Sequence, residues 1–172
     1  TSSKNHGTPY LTPYTYSKVA GEGILKTYAE CFGLNCGMAT FFNVYGPREP
    51  KKGEWATVVA KFGRQWKEGD QLTVVGDGQQ TRDFTHVEDI CKGLILISET
   101  ECSADNFDLG RGMPISILDV AKYWTGTSTE RINFVSLRKN EGQHTLCDVE
   151  ETFNKLKWRA NNNLIDWINS QR

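Results

Sequence analysis

Apolar residues recur at helical spacing from Tyr14 to about Phe32, at Val19, Ile24, Leu25, Tyr28 and Phe32, and Gly33 follows where such a helix would end. The next stretch, "CGMATFFNV", has the β-branched and aromatic content of a strand and runs into a loop at Tyr45-Gly46-Pro47. A second helix is expected from Trp55 to Lys67, closing at Gly69. "QLTVVGDG" then reads as a strand entering a turn at Asp77-Gly78. After "TRDFTHV", Thr85 and Glu88 are spaced as a capping box ahead of Ile90, Leu94, Ile95 and Ile97. "NFDLG" is a short strand, and Ser116 with Asp119 forms a second, weaker box before a helix through Trp124. "RINFVSL" returns to strand. Asp148 is placed to cap a helix through Leu156, and a last amphipathic helix covers Leu164 to Ile168. Strand and helix alternate throughout, so the class is α/β with a mostly parallel sheet.

Composition narrows the functional classes. The 172 residues are 38% hydrophobic and 24% charged, which is the balance of an ordinary globular protein. A formal net charge of −1 gives no electrostatic support for nucleic-acid or membrane-surface binding. No apolar run approaches the roughly 20 residues that span a bilayer. The five cysteines (Cys31, Cys36, Cys91, Cys102 and Cys147) form no C-x-x-C, and His6, His86 and His144 share no ligand spacing. These features fit reduced, structural thiols in a cytoplasmic protein without a metal.

The chemistry candidates begin with Tyr14 and Lys18. Four apart on a helix, they share one face, and an ammonium beside a phenol favours the phenolate form that acid–base work requires. Read from the residues alone, the pair could equally be a packed tyrosine and a solvated lysine. The surrounding stretch, "TPYTYSKVAGE", resembles the Tyr-x-x-x-Lys-x-x-x-Glu segment of the extended short-chain dehydrogenase/reductases, the NAD-dependent nucleotide-sugar epimerases and dehydratases. The resemblance continues in order through "FFNVYGPRE", "LTVVGDGQQTRDFTHVEDI", "NFDLGRG", "RKNEGQHTLCD" and "KLKWRAN", and so covers nearly the whole chain.

On that resemblance Tyr14 is the catalytic acid/base, and Lys18 assists it while binding the nicotinamide ribose of NAD. The family's catalytic hydroxyl falls at Ser2, with Ser3 next to it. Asn43 and Arg82 stand where the family contacts the substrate diphosphate, Arg138 is a second arginine for it, and a guanidinium fork suits such oxygens. Glu141 falls where the family places an acid on the nucleotide ribose, although Lys139-Asn140 replaces the usual Pro-Gly before it. Val74 lies where the base would pack. Asp83, Asp89 and His86 read as structural, and the tryptophans as core residues.

The Gly-rich turn that receives a dinucleotide pyrophosphate is not found in the sequence. Gly21-x-Gly23 lies inside the first helix, while Gly76-x-Gly78 and Gly110-x-Gly112 open no helix. The expected architecture is therefore the C-terminal part of a Rossmann-like parallel sheet plus a smaller α/β nucleotide-sugar-binding domain. Residues 1–42, with 82–110 returning, form the first, and 43–81 with 111–172 form the second. The function implied is an NAD-dependent epimerase or dehydratase, nearest to a UDP-hexose 4-epimerase. The rivals are a non-catalytic nucleotide-sugar-binding module and a half-enzyme completed by another polypeptide. The partners implied are a UDP-sugar and either a second copy of the chain or a complementing N-terminal polypeptide.

Overall fold

Strands and helices are interspersed, as the residue pattern predicts for an α/β protein, in a computed structural model that describes residues 13–53, 55–126, 128–137 and 144–172. The order is α1 (Pro13–Phe32), β1 (Cys36–Phe41), β2 (Val44–Tyr45), α2 (Val58–Glu68), β3 (Leu72–Val75), β4 (Thr81–Asp83) and β5 (Thr85–His86). Then follow α3 (Val87–Ser98), β6 (Ser103–Leu109), β7 (Pro114–Ser116), α4 (Ile117–Thr125), β8 (Ile132–Val135), α5 (Glu150–Leu156) and α6 (Leu164–Gln171). β1 pairs with β6, β2 with β5 and β3 with β8, all parallel, while β4 pairs with β7 antiparallel.

The helix ends follow local chemistry. α1 and α2 stop at Gly33 and Gly69, whose left-handed φ values of 66° and 79° suit a residue without Cβ. α2 begins at Val58 rather than at Trp55, because Thr57 Oγ1 accepts the Ala60 N–H at 3.2 Å and starts the helix there. Trp55 is left outside the helix and 80% exposed, against the expectation that it packs in the core. For α3 the cap is His86, whose Nδ1 accepts from Glu88 N at 3.3 Å, and not Thr85. Thr85 is instead buried in β5, opposite Val44. The Ser116–Asp119 box forms as expected: Ser116 Oγ accepts from Asp119 N at 3.0 Å and donates to Oδ2 of the same residue at 2.7 Å. Asp148 accepts from Glu150 N at 3.1 Å but sits one residue before the cap position at Val149.

Two large apolar cores and a small cluster of Ala29, Met38 and Ala104 form among the described residues. Phe62, Leu72, Val74, Val120, Trp124, Leu164 and Ile168 bring α2, α4 and α6 together around β3. Ile90, Ile97, Phe107, Leu109, Leu156 and Trp158 pack α3 and α5 on β6. Each fully buried side chain of this size contributes about 1.5–3 kcal/mol before entropy is counted. α1 behaves differently. It lies against β1 and β6, yet Ala29 is its buried residue, and Ile24 and Phe32 remain 58% and 76% exposed.

A buried carboxylate joins segments that the cores alone would leave apart. Asp83, with no exposed surface, accepts the Arg111 N–H on Oδ1 at 3.0 Å, and the Gly112 and Cys147 N–H groups on Oδ2 at 2.8 and 3.0 Å. The chain must pass close for this to happen: a Cβ at Gly110 would lie 2.2 Å from Cys147 Cβ. Asp89 plays a parallel part, accepting the Asn161 and Asn162 N–H groups at 3.0 and 2.8 Å, while its carbonyl accepts Trp158 Nε1 at 3.0 Å. Both aspartates are thus structural, as their place in "TRDFTHVED" led us to expect.

Asp83→Ala should leave three N–H donors, one buried and two half-buried, without their partner and lower the unfolding free energy by about 3 kcal/mol, measured by urea denaturation. Asp77→Ala, in the exposed turn, should stay within about 0.5 kcal/mol of the parent. Burial also pushes the Cys147 thiol up to about 12, with the nearby Asp108 and Asp83 carboxylates adding to it. Iodoacetamide at pH 8 should therefore label exposed Cys31 and Cys91 in the native protein and spare Cys147, as read by peptide mass spectrometry.

Candidate functional site

Tyr14 and Lys18 lie on the first turns of α1, where the i, i+4 spacing places the Lys18 ammonium 5.3 Å from the centroid of the Tyr14 ring. Ser17 between them donates to the Tyr14 carbonyl at 2.8 Å, a bond within the helix that leaves the phenol outside it. The Tyr14 side chain is 64% exposed, so the hydroxyl is open to a reaction partner. Ser2, Ser3, Arg138 and Glu141 lie outside the described residues.

The second part of the site is a cleft of about 220 Å³ lined by Asn43, Ala56, Val58, Lys61, Thr73, Val75, Gln80, Arg82 and Ile117. Each wall has a local cause. Val58 and Lys61 are one helical step apart on α2, while Val59 and Phe62 turn from that face into the core. Along β3 the side chains alternate, so Thr73 and Val75 reach the cleft and Val74 is fully buried in the first core. Val74 is thus a core residue; a base in this cleft would meet Thr73 and Val75.

Arg82 sits on β4 beside the Asp83 anchor, with its Nη1 donating to the Thr81 carbonyl at 2.9 Å. Gln80 Nε2 donates to the Val75 carbonyl at 2.9 Å, and Gln65 bridges to Thr73, donating to its hydroxyl at 2.7 Å and accepting its N–H at 3.2 Å. Asn43, in the β1–β2 connection with φ of 32°, donates to the Asp83 carbonyl and to Thr145 Oγ1, each at 3.0 Å. Thr145 Oγ1 also accepts the Asp83 N–H at 3.2 Å.

Asn43 and Arg82 line one cleft, and Tyr14 and Lys18 share a face of α1. Neither member of the α1 pair is among the residues lining the cleft. The sequence reading missed Lys61, Thr73, Val75, Gln80 and Thr145. The alternation of β3 could have found Thr73 and Val75, whereas Thr145 is recognisable only through contacts 62 and 102 residues away.

A cleft with two cationic side chains suits an anionic ligand, and an exposed Tyr–Lys pair suits proton transfer. The two ends of a dinucleotide fit unequally. Tyr14 and Lys18 offer a hydroxyl and an ammonium to a ribose, but among the described residues Gly21 and Gly23 lie within α1 and no Gly-rich turn opens a helix. Nor do the described residues bring together three or more His, Cys, Asp or Glu side chains able to hold a metal.

Comparison with known proteins gives the family. The family model described as the NAD dependent epimerase/dehydratase family matches residues 1–110. The UDP-glucose 4-epimerase of Mycolicibacterium smegmatis is 35% identical over 105 residues, which cover 61% of this chain and 33% of that protein. Among solved structures, the UDP-glucose 4-epimerase of Thermotoga maritima with UDP-glucose superposes at a TM-score of 0.85. It is 27% identical, covering 93% of this chain and 52% of its own. MoeE5, solved with UDP-glucuronic acid and NAD, gives a TM-score of 0.83 at 25% identity, covering 97% of this chain and 56% of its own. The chain spans about half the length of the curated relatives it matches, 53% in two of them. Because the family model matches well over half of its 172 residues, the chain belongs to the NAD-dependent epimerase/dehydratase family.

Proposed function

We propose that this chain carries the catalytic helix and the substrate cleft of a nucleotide-sugar epimerase or dehydratase, and that its reaction is closest to a UDP-hexose 4-epimerisation. The observation that carries the reading is the pairing of an exposed phenol and an ammonium on α1 with a separate cationic cleft, in a chain similar to UDP-glucose 4-epimerases. Tyr14 takes the proton from a sugar hydroxyl and later returns it, and the neighbouring Lys18 charge favours the phenolate during the exchange. Ser2 or Ser3 supplies the accompanying hydroxyl. Tyr14 and Lys18 would hold NAD at its nicotinamide ribose, and the cofactor would supply the hydride acceptor on which such chemistry depends.

Arg82 binds the diphosphate from the cleft wall, with Lys61 as a second cation and Arg138 completing the set. Thr73 and Val75 take the base, and Glu141 the nucleotide ribose. We further assign 1–42 with 82–110 to the Rossmann-like part and 43–81 with 111–172 to the substrate part. The first core supports this, while Leu156 and Trp158 pack with α3 and β6 across the assigned boundary. No helix among the described residues is long and apolar enough to cross a membrane, and all five cysteines are unpaired, which supports a reducing, cytoplasmic setting.

Tyr14→Phe should lower epimerase turnover at least about a hundredfold while leaving UDP-glucose affinity within about twofold, by coupled assay and titration calorimetry. Undiminished turnover would remove Tyr14 from the chemistry. Arg82→Ala should weaken binding of UDP and UDP-glucose alike, by roughly 1.5–3 kcal/mol, because a charge-assisted contact to the shared diphosphate is lost.

A further inference from the structure

We infer that Glu49, which is not among the residues lining the cleft, is the positioning residue that fixes the α2 wall, and Lys61 with it, at its distance from Arg82. The inference rests on the functional reading above, since it takes the diphosphate to engage both of these cations.

Glu49 stands out from its neighbours. Pro47, Arg48, Pro50, Lys51, Lys52 and Gly53 are all exposed, whereas Glu49 in their midst is half-buried. Burial pushes its carboxyl up from the ordinary value, while the Thr57 hydroxyl, the Gly46 N–H and the Lys51 ammonium draw it back down. Turning a carboxylate inward from a solvated loop is costly unless it is hydrogen-bonded there.

Its hydrogen-bond partners belong to the two sides of the cleft. On the side of α2, Thr57 Oγ1 donates to Glu49 Oε2. A hydroxyl has one hydrogen, and with that hydrogen committed to Glu49 its lone pairs are free for the Ala60 N–H, which it accepts at 3.2 Å. The Thr57 carbonyl accepts the Lys61 N–H at 2.9 Å. Thr57 therefore holds the first turn of α2 through both its side chain and its main chain, and that turn brings Val58 and Lys61 to the cleft.

On the other side, Gly46 directly follows β2 and is buried against the start of α3, where a Cβ would lie 2.7 Å from Val87 Cγ1. β2 pairs with β5, and only Phe84 separates β5 from β4 and its Arg82. One carboxylate thus links the strands that lead to Arg82 with the helix that carries Lys61. A lysine and an arginine on two walls share one diphosphate only at a spacing that suits both, so this link acts on affinity without touching the ligand.

Titration calorimetry with UDP tests the inference, on the chain and on variants first shown to be folded by a cooperative thermal transition. Glu49→Ala should raise the Kd for UDP about tenfold, whereas Glu49→Gln, which keeps an oxygen acceptor, should stay within about twofold of the parent. Thr57→Val should match Glu49→Ala, and Thr57→Ser, which keeps the hydroxyl, should match the parent. In a Lys61→Ala background the effect of Glu49→Ala should shrink to less than about twofold, because Glu49 acts through Lys61. A residue that merely stabilised the fold would show no such dependence on Lys61.

Parent-like UDP binding by Glu49→Ala would overturn the inference, and so would a loss that persists undiminished in Glu49→Gln or in the Lys61→Ala background. Failure of the unaltered chain to bind UDP would overturn the functional reading itself, and this inference with it. Should Glu49→Ala fail to fold, the Thr57→Val and Thr57→Ser pair, repeated in the Lys61→Ala background, decides the matter alone.

Discussion

The Asp83 carboxylate is the constraint on which the rest of the site depends. It gathers N–H groups from Arg111, Gly112 and Cys147, which lie 28, 29 and 64 residues along the chain. Its own main chain serves too, since its N–H goes to Thr145 and its carbonyl accepts Asn43. One buried residue therefore sets the relative positions of β4, the 110–112 turn, the 144–147 segment and the β1–β2 connection. A carboxylate suits this part because two oxygens can serve several main-chain donors at once, and each donor left unpaired in a buried setting would be costly. Gly110 completes the arrangement by allowing Cys147 to approach where any side chain would collide.

Function follows from what this anchor leaves facing outward. Arg82 is the adjacent residue on β4, so strand alternation turns its side chain to the cleft while Asp83 turns inward. α2 divides its faces in a similar way, with Val58 and Lys61 toward the cleft and Val59 and Phe62 in the core. The cleft thus lies on the outer side of elements whose other sides form the first core. The Tyr14–Lys18 pair stands apart on α1, a helix that makes few buried contacts of its own. The exposed Tyr–Lys pair and the cationic cleft thus reside on different elements.

Much of this was legible in the sequence, and the errors have physical causes. The α/β alternation, the closing residues Gly33 and Gly69, the Ser116–Asp119 cap and the Tyr14–Lys18 spacing depend on neighbours within a few residues, and local pattern contains them. Capping failed at Thr85 because β5 demands that side chain in the interior, and His86, one residue on, does the capping with its ring nitrogen. Val74 falls on the core face of β3, one step of strand alternation from Thr73 and Val75 on the cleft face. Trp55 looked like a core residue by type, yet Thr57 starts the helix after it and leaves it in solvent. The structural character of Asp83 could be anticipated from its setting. Its partners could not, because sequence pattern has no access to bonds that close loops of this length.

Amide hydrogen exchange tests the anchor most directly. Loop amides at Arg111, Gly112 and Cys147 would ordinarily exchange quickly. If Asp83 holds them as described, all three should exchange as slowly as amides in the buried strand β6, and should lose protection together in Asp83→Asn. Fast exchange at these positions in the parent protein, or protection unaffected by that substitution, would contradict the account.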